Sequence, residues 1–143
     1  MDAYGYDIYY KYINRLLGRY EISDEKEYVL YPSGNIANIV KDVLKNEYNI
    51  IPTFIVDNYK FDGSTILNFK QAHRRNKNEA YYFICSDRDD IYDSIRKIIK
   101  ENVSEKYIID FFPRDINEEY KLKVSELLDT IDREIFSEIK EDQ

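Results

Sequence analysis

Short apolar runs alternate with amphipathic segments along most of the chain, and this alternation constrains the fold more than any other feature. Four of the runs are rich in β-branched and aromatic residues and show no polar alternation. These runs are Tyr28–Tyr31, Pro52–Val56, Tyr81–Cys85 and Tyr107–Phe112. Strands that are covered on both faces have this composition, as in a parallel sheet between two layers of helices. The pattern therefore predicts an α/β fold.

The segments around these runs have apolar residues at helical spacing. After the first run the apolar positions follow the i, i+3, i+4, i+7, i+8, i+12 spacing of an amphipathic helix: Ile36, Ile39, Val40, Val43, Leu44 and Tyr48. A second helix is predicted around Ile91–Ile99, and a short polar helix over Asn68–Arg75. Two further helices are predicted outside the strands, one ending near Gly18 and a long one over Asn117–Lys140.

Strands that alternate with helices form parallel sheets with right-handed crossovers. We therefore predict a three-layer, Rossmann-like fold with a four-stranded parallel sheet in the order 2-1-3-4 and with flanking helices. The 143 residues fit a single domain. Within it we expect an N-terminal helix over residues 1–22, a nucleotide-binding-like core over residues 27–112 and a C-terminal helix over residues 116–140.

Composition and charge exclude several classes of partner. The net charge is −7, whereas proteins that bind nucleic acid through its phosphates carry clustered Lys and Arg. No run of apolar residues is long enough to cross a bilayer, and the N-terminus has no secretory signal pattern. Cys85 is the single cysteine and is expected to be a buried, inert thiol. These features predict a cytoplasmic protein that binds neither nucleic acid nor membranes.

The first strand runs into the turn Pro32-Ser33-Gly34-Asn35, which precedes a helix. Such a turn directs backbone N–H groups and the positive end of the helix toward an anion. We assign Ser33, Gly34 and Asn35 to a phosphate, although Asn35 can instead cap the helix. Asp57 follows Gly34 by 23 residues, at the end of the second strand. A carboxylate in this position accepts hydrogen bonds from ribose hydroxyls.

A second polar group follows the third strand, at Ser86 and Asp87. Ligands of open parallel sheets bind beyond the carboxyl ends of the strands, next to the reversal in strand order. This rule places Ser86 and Asp87 opposite the turn that contains Ser33. An alternative interpretation is that Asp87 or Asp89 caps the next helix, whose positive end favours carboxylates.

Two stretches, Tyr31–Ala37 and Phe54–Asn58, resemble Rossmann-like nucleotide-binding domains associated with bacterial surface-polysaccharide enzymes, namely sugar acyltransferases and methyltransferases. In that group the turn usually reads Gly-small-Gly-Asn-Ile-Gly, and the second strand ends in Asp-Asn or Asp-Asp. The resemblance implies a nucleotide or nucleotide-sugar ligand, with Asp57 and Asn58 in its site. Pro32 replaces the first glycine and Ala37 the third. Because proline removes an N–H and fixes φ, NAD is less compatible with this turn than a mononucleotide or a nucleotide sugar.

Two other functions remain open. The chain can be a Rossmann-like module that binds no ligand and instead forms a homodimer or docks to a larger enzyme through its terminal helices. The tyrosine-rich N-terminus, with Tyr6, Tyr9 and Tyr10, has more aromatic residues than one buried helix face requires. Alternatively, Asp87 and Asp89 can hold a metal in a glycosyltransferase-like site. No catalytic residue and no metal ligand is assigned in the preferred interpretation.

Overall fold

A computed structural model gives the fold and describes residues 3–76 and 80–110, together with positions 126, 129 and 133. The described α-helices, in chain order, are α1 (Ala3–Leu17), α2 (Asn35–Tyr48), α3 (Phe69–Asn76) and α4 (Asp89–Lys100). The described strands are β1 (Tyr28–Tyr31), β2 (Phe54–Val56), β3 (Ile66–Leu67), β4 (Tyr81–Ile84) and β5 (Ile108–Ile109). None of the described helices is both long and apolar enough to cross a bilayer.

The five described strands form one sheet in the order β3-β2-β1-β4-β5, and every pair of neighbours is parallel. The α/β class is therefore confirmed, but the predicted four-stranded sheet in the order 2-1-3-4 is wrong in both strand count and order. The additional strand is β3, which pairs with the outer side of β2: Ile55 lies opposite Ile66, and Val56 opposite Leu67. β1 lies at the centre, between β2 and β4.

Helices cover both faces of the sheet. All four residues of β1 are buried, as expected for a central strand without polar alternation. Tyr28 and Leu30 pack on one face in a cluster with α1 and α2. Val29 and Tyr31 pack on the other face in a cluster with α3 and α4. Successive side chains of a strand point to opposite faces, so this one short run supplies both halves of the core.

Three predicted strands are longer than the strands observed. The second, predicted over Pro52–Val56, is observed as Phe54–Val56. The third predicted strand, Tyr81–Cys85, ends at Ile84 as β4. The fourth was predicted over Tyr107–Phe112, but Tyr107 ends a 3-10 turn that begins at Glu105, and only Ile108–Ile109 pair as β5. Residues 111 and 112 lie outside the described residues, as does the predicted helix over residues 116–140 apart from positions 126, 129 and 133, which are helical.

A polar cluster fixes α4 against the end of β5. The Arg96 guanidinium donates to both carboxylate oxygens of Asp110, each at 3.1 Å, and to Glu105 at 2.6 Å. The Tyr92 hydroxyl also donates to Asp110. Arg96 and Asp110 are only partly exposed, so these charge-assisted bonds are stronger than those of a fully exposed ion pair. The orientation of α4 matters because this helix forms a wall of the cavity described below.

Tyrosine hydroxyls join α1 to neighbouring acidic residues. Tyr6 donates to Asp42, and Tyr10 donates to Glu47 at 2.9 Å; both carboxylates belong to α2. Their rings pack against the core cluster on that face. A tyrosine thus combines an apolar body with a polar end that requires a partner. The dense aromatic residues of the N-terminus are therefore used, at least at these positions, to hold α1 on α2.

Replacing Tyr6 with phenylalanine is expected to lower the free energy of unfolding by about 1 kcal/mol, the usual value of one side-chain hydrogen bond. The bond to Asp42, with burial second, raises the pKa of Tyr6 to about 12. A pKa raised in the folded state stabilises the protein below the ordinary tyrosine value of 10.0, and this stabilisation is lost as the pH rises toward 12. Urea unfolding of the wild type and Tyr6→Phe at neutral and alkaline pH measures both effects. A difference between the two proteins that is independent of pH would contradict the assigned bond.

Candidate functional site

A cavity of about 430 Å³ lies beyond the carboxyl ends of β1 and β2, with α4 as its third wall. Its described lining residues come from these three elements and the segments that follow the strands: Tyr31, Pro32, Ser33, Asp57, Asn58, Tyr59, Lys60, Asp90, Ile91, Ser94, Ile95 and Ile98. Carboxyl ends of central strands are where open parallel sheets bind ligands. The cavity therefore lies at the carboxyl edge of the sheet, as the strand pattern predicted, but beside β1 and β2 and not between the ends of β1 and β4.

The turn between β1 and α2 depends on Gly34. The Tyr31–Pro32 peptide bond is cis, and Gly34 has φ 138° and ψ −164° at the N-cap position of α2. This combination of angles is essentially restricted to glycine. A Cβ atom built on Gly34 would meet no heavy atom within 4 Å. Glycine is therefore required here by the backbone conformation, and not by close packing against another group.

Gly34 is also the N-cap residue of α2. Its carbonyl accepts from the Asn38 amide at 3.0 Å, and no side chain caps the helix. The interpretation of Asn35 as the capping residue is therefore wrong, because Asn35 is already the first helical residue and is exposed. The first turn of α2 contains no acidic residue. The positive end of this helix thus faces no carboxylate from its own first turn.

Asp57 connects the ends of β1 and β2. It is only 5% exposed. One carboxylate oxygen accepts from the Ser33 hydroxyl at 2.8 Å, and the other accepts from the backbone amides of Tyr59 and Lys60 at 2.8 and 2.9 Å. Burial alone would raise the pKa of Asp57, but these hydrogen bonds outweigh it and lower the pKa below its ordinary value. Asp57 is therefore a buried carboxylate that remains ionised.

Asn58 performs a similar connecting role on the α3 side of the cavity. Its Nδ2 donates to the Tyr31 hydroxyl at 2.9 Å, and its Oδ1 accepts from the Phe69 amide, the first residue of α3, at 2.9 Å. Burial and the nearby charge of Asp57 raise the pKa of Tyr31 to about 12. Asn58 thus holds three elements together at the edge of the cavity.

The segment between β2 and β3 carries two exposed aromatic side chains. Tyr59 is 96% exposed and lines the cavity, and Phe61 is 47% exposed. The backbone of this segment is ordered by Asp62, which accepts hydrogen bonds from the Thr65 hydroxyl and from the amides of Ser64, Thr65 and Ile66. These bonds lower the pKa of Asp62 below its ordinary value. Tyr59 precedes this turn, and its own backbone amide is held by Asp57 next to the cavity.

The α4 wall is largely apolar. Ile91, Ile95 and Ile98 face the cavity, and Ser94 adds one hydroxyl. Asp90 lies at the α4 end of the cavity and forms an exposed ion pair with Arg88 at 3.1 Å. The charged side chains in the described lining are Asp57, Asp90 and Lys60, and the charge of Asp90 is paired with that of Arg88. The cavity combines an apolar wall with a polar end formed by the β1 and β2 segments.

Ser86 and Asp87 do not line this cavity. Ser86 is buried, and its hydroxyl accepts from the Arg88 amide at 3.2 Å. Asp87 is exposed and accepts from the Tyr9 hydroxyl at 3.3 Å, on the α1 side of the sheet. The N-cap residue of α4 is Arg88, so the interpretation that Asp87 or Asp89 caps this helix is also wrong. Asp89 and Asp90 instead lie in its first turn, where carboxylates are favourable.

Of the seven residues assigned from sequence, the structure brings Ser33, Asp57 and Asn58 to one cavity. Gly34 and Asn35 follow directly in the turn without lining it, and Ser86 and Asp87 lie elsewhere. The sequence assignment missed Tyr59, Lys60 and the α4 wall. Tyr59 and Lys60 could have been found, because they directly follow Asp57 and Asn58 at a predicted strand end.

No metal site or reactive thiol is present in residues 3–76 and 80–110. No group of three His, Cys, Asp or Glu side chains is arranged to hold an ion in this part of the chain, so Asp87 and Asp89 have no third ligand there. Cys85 is buried, and burial raises the pKa of its thiol well above the ordinary value. His73 stacks on Phe69, with ring centroids 5.6 Å apart and planes inclined by 9°. Cys85 and His73 therefore contribute to packing.

Comparison with protein-family models, with curated proteins and with solved structures found no match to this chain.

Proposed function

We propose that the protein binds a nucleotide or a nucleotide sugar in the cavity between the ends of β1 and β2 and the α4 wall. The observation that carries this proposal is the position and size of the cavity. It lies next to the central strand, beyond the carboxyl ends of parallel strands, where such folds bind ligands. Its volume of about 430 Å³ falls within the usual range for small-molecule sites.

The chemistry of the lining supports a ligand with an apolar ring and several hydroxyl groups. Ile91, Ile95 and Ile98 provide an apolar surface for a base, and the exposed ring of Tyr59 can stack on the base from the side of the β2–β3 segment. The Ser33 hydroxyl lies at the polar end of the cavity, and the Ser94 hydroxyl lies on the α4 wall. Lys60 is the cation available to a phosphate among the described lining residues. The resemblance in Tyr31–Ala37 and Phe54–Asn58 associates such a ligand with glycan or surface-polysaccharide metabolism.

A thermal-shift screen of nucleoside phosphates, nucleotide sugars, NAD and coenzyme A tests the proposal. A ligand present at about 100 times its Kd stabilises the folded state by about 2.7 kcal/mol. For a chain of this size, this stabilisation raises Tm by roughly 5–10 °C. We expect such a shift with at least one nucleotide or nucleotide sugar and a smaller one with NAD. No shift with any of these compounds would contradict the proposal.

Two α4 variants locate the bound ligand. Ser94 lines the cavity, whereas Lys97 is exposed on the same helix outside it. The Ser94→Phe substitution introduces a ring into the cavity and is expected to abolish the ligand-induced shift. The Lys97→Phe substitution places the same ring on the same helix and is expected to preserve the shift. Equal shifts in both variants would show that the ligand binds at another site.

A second candidate function is that of a ligand-free interaction module. The observation that favours it is the pair of exposed aromatic side chains, Tyr59 and Phe61, on the β2–β3 segment. Aromatic residues are enriched at protein interfaces. This function predicts that no nucleotide raises Tm, and that substitution of both aromatic residues by serine changes the sedimentation behaviour or the binding of a protein partner.

A further inference from the structure

The Ser33 hydroxyl is directed at a carboxylate of the same chain. Its Oγ donates to Asp57 at 2.8 Å. The Ser33 backbone amide also contributes to the lowered pKa of this carboxylate. Asp57 accepts two further hydrogen bonds, from the Tyr59 and Lys60 amides. The β1–α2 turn, which in Rossmann-like proteins directs its donors at a phosphate, here holds an internal anion.

This arrangement changes what Ser33 offers to a ligand. A serine hydroxyl has one proton and two acceptor lone pairs. Because the proton is donated to Asp57, Oγ can only accept a hydrogen bond from a ligand in the cavity. An ionised phosphate oxygen has no proton to donate, whereas a sugar hydroxyl does. The turn is therefore complementary to hydroxyl groups and not to phosphate oxygens.

The negative charge of the lining also disfavours a phosphate next to Ser33. Asp57 is only 5% exposed, so solvent screens its charge less than it screens the charge of a surface carboxylate. Asp90 also lies in this lining, but Arg88 pairs with it at 3.1 Å, so the negative charge next to the turn comes from Asp57. Like charges brought together at a binding site are strongly unfavourable. A phosphate next to Ser33 would meet the field of Asp57 directly.

We infer that Asp57 determines the specificity of the cavity by excluding phosphate from the β1–α2 turn, so that the turn binds the uncharged glycosyl part of the ligand. The inference rests on the proposed function, because it assigns an orientation to the same ligand. The sugar hydroxyls lie against Ser33, and any phosphate lies away from the turn. Asp57 is thus a positioning residue that acts through Ser33.

Matched pairs of probes test this orientation. Adenosine, guanosine, cytidine and uridine are each compared with their 5′-monophosphates by calorimetry on the wild-type protein. We expect the affinities within the pair that binds to lie within about tenfold of each other, because the phosphate makes no contact with the turn. A 5′-monophosphate that binds more than about tenfold tighter than its nucleoside, both in the wild type and in Lys60→Ala, would overturn the inference.

Two substitutions distinguish the effect of Asp57 on phosphate binding from the effect of removing any negative charge from the lining. In Asp57→Asn we expect the 5′-monophosphate to gain about tenfold over its nucleoside, because the like charge is removed and the Ser33 proton becomes available to phosphate. Asp90→Asn removes the other carboxylate of the lining without changing Ser33, and we expect a smaller gain. Equal ratios in Asp57→Asn and the wild type would overturn the inference. If Asp57→Asn does not fold, the comparison of probe pairs on the wild type still decides.

Inorganic phosphate distinguishes failure of this inference from failure of the proposed function. Absence of a thermal shift with every nucleoside phosphate and nucleotide sugar in the screen would refute the proposed function. Independently of that result, we expect millimolar inorganic phosphate to raise the Tm of Asp57→Asn and to leave the Tm of the wild type unchanged at equal ionic strength. Stabilisation of the wild type by phosphate would show that the turn accepts an external anion, and would overturn the assignment to Asp57.

Discussion

Replacing Asp57 with alanine is expected to lower the free energy of unfolding by about 3 kcal/mol. The carboxylate accepts from the Ser33 hydroxyl and from the Tyr59 and Lys60 amides, and hydrogen bonds to charged groups are the stronger kind. Alanine leaves all three donors without this acceptor in a region where Asp57 itself is buried. Equilibrium unfolding in urea measures the loss.

Asp57→Asn is the matched control for shape. Its Oδ1 can still accept from the two amides, so we expect a loss of about half that of alanine. Ser33→Ala removes one donor and leaves the amide bonds in place, and its expected cost is about 1 kcal/mol. If Asp57→Ala unfolds at the same urea concentration as the wild type, the carboxylate does not hold the two strand ends together.

The contribution of Asp57 also depends on pH. Its pKa in the folded state is lowered from the ordinary value of 3.8. A lowered pKa stabilises the folded state above the unfolded value, and the stabilisation is lost as the pH falls below 3.8 toward the folded pKa. We therefore expect the stability of Asp57→Asn to change less than that of the wild type over this acidic range. A parallel decline in both proteins would assign the acid sensitivity to other carboxylates.

Replacing Gly34 with alanine is expected to cost about 2 kcal/mol of folding stability. The cause is the backbone alone, because the φ of 138° is unfavourable for any residue with a Cβ atom, while no atom lies within 4 Å of the added methyl group. We expect Gly34→Asn to lose as much stability as Gly34→Ala. Asparagine tolerates positive φ in the left-handed helical region, which is not the region that Gly34 occupies.

Asn35→Ala is the control for Gly34, because Asn35 is exposed and is the first residue of α2. We expect a change within about 0.5 kcal/mol for this surface substitution. Urea midpoints of Gly34→Ala, Gly34→Asn and Asn35→Ala make the comparison. If Gly34→Ala and Asn35→Ala unfold together, the turn relaxes into a conformation that alanine accepts.

Local sequence predicted the central part of the fold because the decisive signals were local. Tyr28–Tyr31 is apolar at every position, and β1 is buried at every position. β3 was missed for the opposite reason: Ile66–Leu67 is only two residues long, and its strand conformation depends on pairing with β2. A two-residue sequence does not show that a neighbouring strand is available for pairing. The strand conformation of β3 therefore depends on tertiary contacts.

The candidate site was also predictable only where the signal was local. The edge of the sheet that carries the cavity could be predicted, because the carboxyl ends of parallel strands lie at one edge, but the predicted place between the ends of β1 and β4 was not where the cavity lies. The α4 wall could not, because Ile91 and Ile98 share a helical stripe with Ile95 and Ile99, and periodicity does not separate a core position from a cavity wall. The direction of the Asp57 carboxylate also depends on where Ser33 lies, which the sequence does not contain.

The buried sulfur of the chain has a practical consequence for studying its motions. Cys85 is the single cysteine and follows β4 at the end of the sheet where the cavity opens. Thiolates are the form that alkylating reagents attack, and burial disfavours that form here. Iodoacetamide therefore reacts only during transient openings of this region. The alkylation rate, followed by mass spectrometry, reports how often the centre of the sheet opens and how a bound ligand slows it, without an introduced label.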